Sequence, residues 1–355
     1  MTDPCGNDEG WTNVIAIYIK FIMSGANCNN KSTTRSDTIR GYLEAINDMF
    51  TARYFKAPVD LHDPTNLATI IFKNLQAEET IANQRSPITK EMYAYLLRQS
   101  KESAEGSEHW LLEKCASLAR LLGMRAAEYL QKTQTKVDTH KYASGTEVIK
   151  AWTRRDVTFY DKKGRKILQF DENTRKTVAR ARIKWRIQKN RRNGQSVTII
   201  RDYSNDEICP VLAAFDIYNH SMKIGQRDDM PMVAMKTENG QVKYLTGNRV
   251  KTLLRKVARE VHPDLTQEEL NKFSAHSFRV WACVLLSEAG ASPDLIKSRL
   301  RWMGDSYRSY LRDTHGINEM HRDALEKANA AIMDLLAELD NVQEDSNMGE
   351  YVDIE

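Results

Sequence analysis

In SAHSFRVWACVLLSEAG, residues 274–290, an imidazole and a guanidinium open a stretch that turns almost wholly apolar from Val280 to Leu286. A helical spacing of three puts His276 and Arg279 on one face, one turn apart, where the free N–H groups of a helix start favour an anion. The pair is either a satisfied polar cap or a clamp for a phosphate. On its own the spacing says little: a chain of this composition holds about one H-x-x-[Lys/Arg] by chance, and His220 with Lys223 is a second. Order carries more. Arg125 lies in GMRAAEYL with Glu128 three residues on, a lysine-bearing basic stretch follows, then His276 and Arg279, then Trp302, and finally Tyr310 in RWMGDSYRSYLRD.

Such a set could attack a phosphodiester. A tyrosine is a weak nucleophile at its free pKa of about 10 and needs help. Two arginines can each grip non-bridging oxygens with a fork of N–H donors and stabilise charge as it develops. A histidine can accept the phenol proton or donate to the phosphate, and a lysine on a hairpin can protonate the departing oxygen. Trp302 offers one N–H donor that does not titrate. Each residue also has a plainer role: Arg125 with Glu128 as a helical ion pair, Trp302 as core. No step needs a metal or cofactor, and none is expected.

This order resembles the tyrosine recombinase (phage-integrase type) family: an arginine with an acid three residues later, a hairpin lysine, H-x-x-R, a His or Trp, and a C-terminal tyrosine. The ending RLRWMGDSYRSYLRDT is most similar to the recombinases of Crypton-type transposons, which favour Trp at that position. The resemblance covers about residues 11–340. It implies a helical core-binding domain followed by a catalytic domain, with Arg125, Lys189, His276, Arg279, Trp302 and Tyr310 catalytic and Glu128 supporting them. It further implies double-stranded DNA as partner, a homodimer on each site, a homotetramer at synapsis, and a covalent 3′-phosphotyrosine intermediate. A type IB topoisomerase-like nick-reseal enzyme and a non-catalytic recombinase-derived DNA-binding regulator are the alternatives.

The lysine and the tyrosine each have a competitor. Ile183, Trp185 and Ile187 alternate, which puts Lys189 on the same side at the turn and Lys184 on the other, among Arg182 and Arg186. The family lysine sits at the hairpin end, so Lys189 is chosen over Lys184. Tyr307 lies one turn before Tyr310, on an expected helix at 305–313 capped by Asp305 or Ser306. Tyr310, eight residues after Trp302, matches the family nucleophile, and Tyr307 is expected to pack.

The elements that must position these residues follow from periodicity. Ile39, Tyr42, Leu43, Ile46, Met49 and Phe50 keep the rhythm of an amphipathic helix, and segments 11–23 and 66–83 do likewise, with Asp37 and Asn66 near plausible caps. Pro87 breaks this bundle and Thr89 caps the next helix. Helices are expected at 89–102, 108–121, 208–219, 247–261, 274–289, 293–301 and 317–340, with another after GMR. Hairpins are expected about Lys163-Gly164 and Asn193-Gly194, and a tight turn in TENGQV. The fold class is therefore mainly α with a small β-sheet (α+β). The expected domains are a flexible 1–10, a helical DNA-binding domain 11–86, a catalytic domain 87–340 and a disordered acidic tail 341–355.

Bulk composition agrees. The 355 residues are 28% charged and 41% hydrophobic, ordinary for a water-soluble chain, with no apolar run long enough to span a membrane; the polar, acidic MTDPCGNDEG is not expected to act as a leader. An intracellular setting is expected, the nucleus if the source is eukaryotic. Five scattered cysteines form neither a zinc nor a disulfide pattern, and Cys115 and Cys283 fall in apolar helical stretches. After Lys327 come eight acidic residues and no basic one; without those eight, 52 basic residues face 40 acidic ones, a net of +12. The densest basic stretch, 175–201, holds ten Lys or Arg and no acid. Arg180, Arg182, Lys184, Arg186, Arg191 and Arg192 are the expected phosphate-backbone contacts, a solvated face being the plainer alternative.

Overall fold

The computed structural model describes residues 8–24, 34–53, 56–78, 84–188 and 193–311, and the chain divides into two compact units, Met1–Asn83 and Gln84–Glu355. The expected helix 317–340, the tail, and Lys189, Arg191 and Arg192 lie outside the described residues.

The first unit is built from α1 (Asp8–Met23), α2 (Ser36–Thr51) and α3 (Leu67–Glu78). Its core gathers Ile15, Ile19 and Ile22 from α1, Ile39 and Leu43 from α2, and Phe72 from α3, the apolar positions that repeat every three or four residues. Asn66 starts α3 as expected, its Oδ1 accepting from the N–H groups of Ala68 (3.0 Å) and Thr69 (3.3 Å). At α2 the cap differs: Arg35 holds that position, without a side-chain cap bond.

The second unit opens with α4 (Lys90–Lys101), α5 (Glu108–Leu122) and the single turn α6 (Ala126–Tyr129). Thr89 caps α4 by accepting from Met92 N–H at 3.2 Å, and Ser107 caps α5 through Trp110 N–H at 3.3 Å, each worth about 1 kcal/mol. Next come β1 (Thr139–Lys141), β2 (Glu147–Ile149), β3 (Val157–Asp161), α7 (Glu172–Thr177), β4 (Val178–Lys184) and β5 (Ser196–Ile200). The described residues then run through α8 (Pro210–Lys223), β6 (Ala234–Lys236), β7 (Val242–Tyr244), α9 (Gly247–Val261), α10 (Gln267–Asn271), α11 (Ser277–Glu288), α12 (Pro293–Leu300) and a 3₁₀ turn, Asp305–Tyr310. Among the described residues the strands pair antiparallel: β1 with β2, β6 with β7, and β4 between β3 and β5. The molecule is mainly α with small sheets, an α+β fold. No helix among the described residues is long and apolar enough to cross a membrane.

Helix α5 organises the unit. It packs against α4, α8 and α11, and Leu111, Leu112, Cys115, Ala116, Leu118, Ala119 and Leu122 are buried along it. Cys115, Cys209 and Cys283 are buried free thiols.

Three elements of the second unit differ from the sequence reading. The turn at Lys163-Gly164 forms, with Tyr160 bridged to Lys166, but residues 167–170 do not continue as a strand. Ile167 and Phe170 are three apart, not two. Phe170 stacks on Tyr218 at 4.3 Å, Asp171 then caps α7, and β3 takes β4 as its partner instead. The β1–β2 hairpin was unforeseen, because its short, largely polar strands have little apolar alternation to signal them. Over the described residues of the expected helix at 305–313 the chain forms the short 3₁₀ turn, with Gly304 at its cap and Asp305 paired to Lys297 at 2.7 Å rather than capping.

Candidate active site

The site lies where α11 begins, against the ends of α5 and α12. Gly123 ends α5 in left-handed backbone, φ +52, and a Cβ there would sit 2.4 Å from Leu300 Cδ2. Only glycine fits both demands. The carbonyl it presents accepts from Arg279 Nη1, while Arg279 Nη2 donates to Leu300 O at 2.7 Å. Arg279 is 2% exposed, with its guanidinium carbon 4.5 Å from the centre of the Trp302 ring. Burial, then the charges of Arg125 and Arg301, push its pKa down to about 9, which still leaves it charged at neutral pH. Gly123→Ala is therefore expected to destabilise the fold by about 2 kcal/mol or more, read as a lower urea midpoint; an unchanged midpoint would mean that the Gly123–Leu300 contact is loose.

His276 stands at the N-cap of α11 but makes no side-chain cap bond. Its Nε2 lies 3.0 Å from the Tyr310 hydroxyl instead, so the polar-cap alternative does not describe it. Burial first, then the arginines Arg279, Arg85 and Arg125, push the imidazole down to about 4, so it is neutral at physiological pH. Burial raises the Tyr310 phenol, against an opposing pull from Arg279. The Tyr310 ring stacks on Trp302 at 5.5 Å, so Trp302 meets both the Tyr310 ring and the Arg279 guanidinium. Tyr307 is 3% exposed and packs with Ala282, Cys283, Ile296 and Leu300.

The depressed histidine gives the fold a pH signature. Between about pH 6.5 and 4 the unfolded chain binds a proton that folded His276 refuses. Its contribution to stability is thus complete above 6.5 and lost as pH falls toward 4. His276→Gln should flatten urea stability against pH over that window by up to one proton; an unchanged slope would place the titration elsewhere. His220, buried beside Gly106 and also shifted down, acts in the same sense and remains in both proteins.

Arg125 and Glu128 hold the other side. Arg125 starts α6, its backbone N–H donating to Glu128 Oε2 at 2.8 Å and its Nη1 to Oε1 at 3.2 Å. Glu128 is buried and also receives both Nη groups of Arg301 at 2.9 Å, a partner that residue type and spacing did not flag. Of the sequence-derived set, the structure brings Arg125, Glu128, His276, Arg279, Trp302 and Tyr310 together.

The basic stretch divides. Along β4, Val178, Ala181 and Ile183 are buried while Arg180, Arg182 and Lys184 project from the opposite face. Their cross-strand neighbours on β5 are Ile200, Thr198 and Ser196, so no carboxylate sits opposite them. Arg186, expected to face outward with them, turns inward and donates to Asp156 Oδ1 (2.7 Å) and Thr153 Oγ1 (2.6 Å). The strand has ended at Lys184, so its alternation no longer governs position 186. The hairpin root is closed by Gly194 N–H to Trp185 O at 2.7 Å and Trp185 N–H to Gln195 O at 2.8 Å, with Gly194 at φ +85. Among the described residues no cluster of His, Cys, Asp and Glu could hold a metal.

Fold and site together define a mainly helical two-unit chain whose second unit gathers two arginines, a histidine, a tryptophan and a tyrosine at converging helix ends. No family model and no curated protein matches the chain. Solved structures with a similar trace include a Tn1549 transposon integrase in complex with transposon right end DNA, with TM-score 0.45, 11% identity, and 89% of this chain and 84% of that chain covered. The same integrase with circular intermediate DNA gives TM-score 0.39 at 11% identity, covering 84% and 80%. A lambda integrase dimer bound to a COC′ core site gives TM-score 0.37 at 12% identity, covering 85% of this chain and 64% of that one.

Proposed function

We propose that the protein is a DNA-cleaving and rejoining tyrosine recombinase, with Tyr310 the nucleophile, serving excision and integration of a Crypton-like mobile element. The observation that carries this reading is the Tyr310 hydroxyl 3.0 Å from the Nε2 of a histidine held neutral among arginines. A protonated imidazole could not take the phenol proton; a neutral one can. With Nδ1 carrying the ring proton, Nε2 accepts from the hydroxyl as the phenolic oxygen bonds to the scissile phosphorus. Arg125, its side chain 24% exposed, and Arg279, which spends two of five N–H groups on carbonyls, stabilise the non-bridging oxygens. The 5′-oxygen departs with a proton from Lys189, and Lys184 is the other candidate donor. The phosphotyrosine keeps one phosphodiester-like bond, so attack by a 5′-hydroxyl reverses the step without ATP.

Double-stranded DNA is the partner, contacted by Arg180, Arg182, Lys184, Arg191 and Arg192, with two protomers on each site and four at synapsis. Incubation with a nicked suicide duplex tests the chemistry: a protein–DNA adduct supports it, and DNA binding without one would make the chain a binder. Exchange between two sites separates a recombinase from a nick-reseal enzyme. Binding should also weaken steeply with salt. If about six phosphates are neutralised, log K against log salt falls with a slope of about −5; a slope near −1 would remove the β4 face from the interface.

A further inference from the structure

Arg301 follows α12 in left-handed backbone, φ +59, and no other non-glycine among the described residues has positive φ. That conformation disfavours a side chain, and a helix end of this kind usually takes glycine. What the side chain does there is specific. Its guanidinium carbon lies 3.6 Å from the centre of the Trp185 ring, at the root of the β4–β5 hairpin. Its two Nη groups take the two oxygens of Glu128, both at 2.9 Å, with the two side chains 8% and 6% exposed. The Arg125 guanidinium reaches the same carboxylate with one longer bond, 3.2 Å, beside its backbone N–H bond.

One buried carboxylate is thus shared by two guanidiniums, and the bidentate pair belongs to Arg301. We infer that Arg301 is a positioning residue that saturates Glu128, so that Arg125 is oriented by the carboxylate without being neutralised by it. Arg125 then keeps its charge for a phosphodiester, and the same ion pair fastens the hairpin root through Trp185. Without Arg301, a buried carboxylate would need a full partner, and Arg125 is the cation beside it. The fork that Arg125 would turn toward Glu128 is the fork a phosphate needs.

This inference rests on the proposed function, and its test is built so that the two can fail separately. Four proteins are compared: wild type, Arg301→Gly, Glu128→Gln and the double variant. Glycine suits the left-handed backbone, so Arg301→Gly removes the side chain without adding strain. Two quantities are read, the rate of adduct formation on suicide DNA at saturating DNA, and the affinity for inorganic phosphate by calorimetric titration, which requires no catalysis. Arg301→Gly is expected to lower both by about tenfold or more. In the Glu128→Gln background, where no charge remains to capture Arg125, the same change should cost less than about threefold. Should Arg301→Gly fail to fold, Arg301→Lys takes its place, with one charge for Glu128 but no fork, and a smaller loss that again vanishes beside Glu128→Gln. Equal losses in both backgrounds, or none in either, would overturn the inference and leave the recombinase reading standing. A wild type that neither binds phosphate nor forms adduct would take both down.

Discussion

Tyr310→Phe is expected to bind DNA as the wild type does and to form no covalent complex. Only the phenolic oxygen is lost: the ring still stacks on Trp302, and the hydrogen bond to His276 is worth about 1 kcal/mol to the fold. Tyr307 is the control. It lies three residues earlier on the same turn, but its ring is buried with Cys283, Ile296 and Leu300, and Tyr307→Phe should retain most activity. The decisive measurement is mass spectrometry of the peptide trapped on suicide DNA. A nucleotide attached to Tyr307 would overturn the assignment, because the 3₁₀ turn would then have to unwind to bring a core side chain to the phosphate.

Arg279→Lys should be nearly as severe although it keeps the charge. Arg279 donates to Gly123 O and Leu300 O and sits against Trp302 while still having donors for a phosphate oxygen. An ammonium has three donors and no plane, so it cannot serve two carbonyls and also present a fork. A loss of at least about a hundredfold in cleavage is expected, the scale of removing one oxyanion donor. DNA affinity should change little, because the exposed cations of β4 are untouched. Single-turnover cleavage alongside a binding isotherm checks both halves; near-normal cleavage would sink the clamp.

The sequence made the helices of the second unit legible because caps and periodicity agreed: Thr89 before α4, and an apolar stripe along α5 that the structure buries. The site was legible as an ordered set of residue types, and six of them converge. What stayed hidden depended on direction rather than type. Arg186 reads like its neighbours in β4, yet the strand ends two residues earlier and its side chain finds Asp156. Phe170 reads as a strand residue, yet it joins the aromatic cluster around Phe159 and Tyr218 outside any strand. Arg301 gave one available clue: a non-glycine just past the last periodic residue of α12, where a left-handed cap is the common ending.

Arg279 ties off two helices at once, since the carbonyls it satisfies belong to the residue that ends α5 and to the last residue of α12. Those groups would otherwise be orphaned in the interior. A lineage that kept the protein for DNA binding alone would therefore not be free to discard this arginine, whose loss would loosen the scaffold. The Tyr310 hydroxyl carries no comparable structural duty. Decay should run in a fixed order, with the tyrosine drifting first and the arginine persisting as a fossil of the chemistry. Chains with His276 and Arg279 intact but Phe at position 310 should therefore keep this scaffold whole.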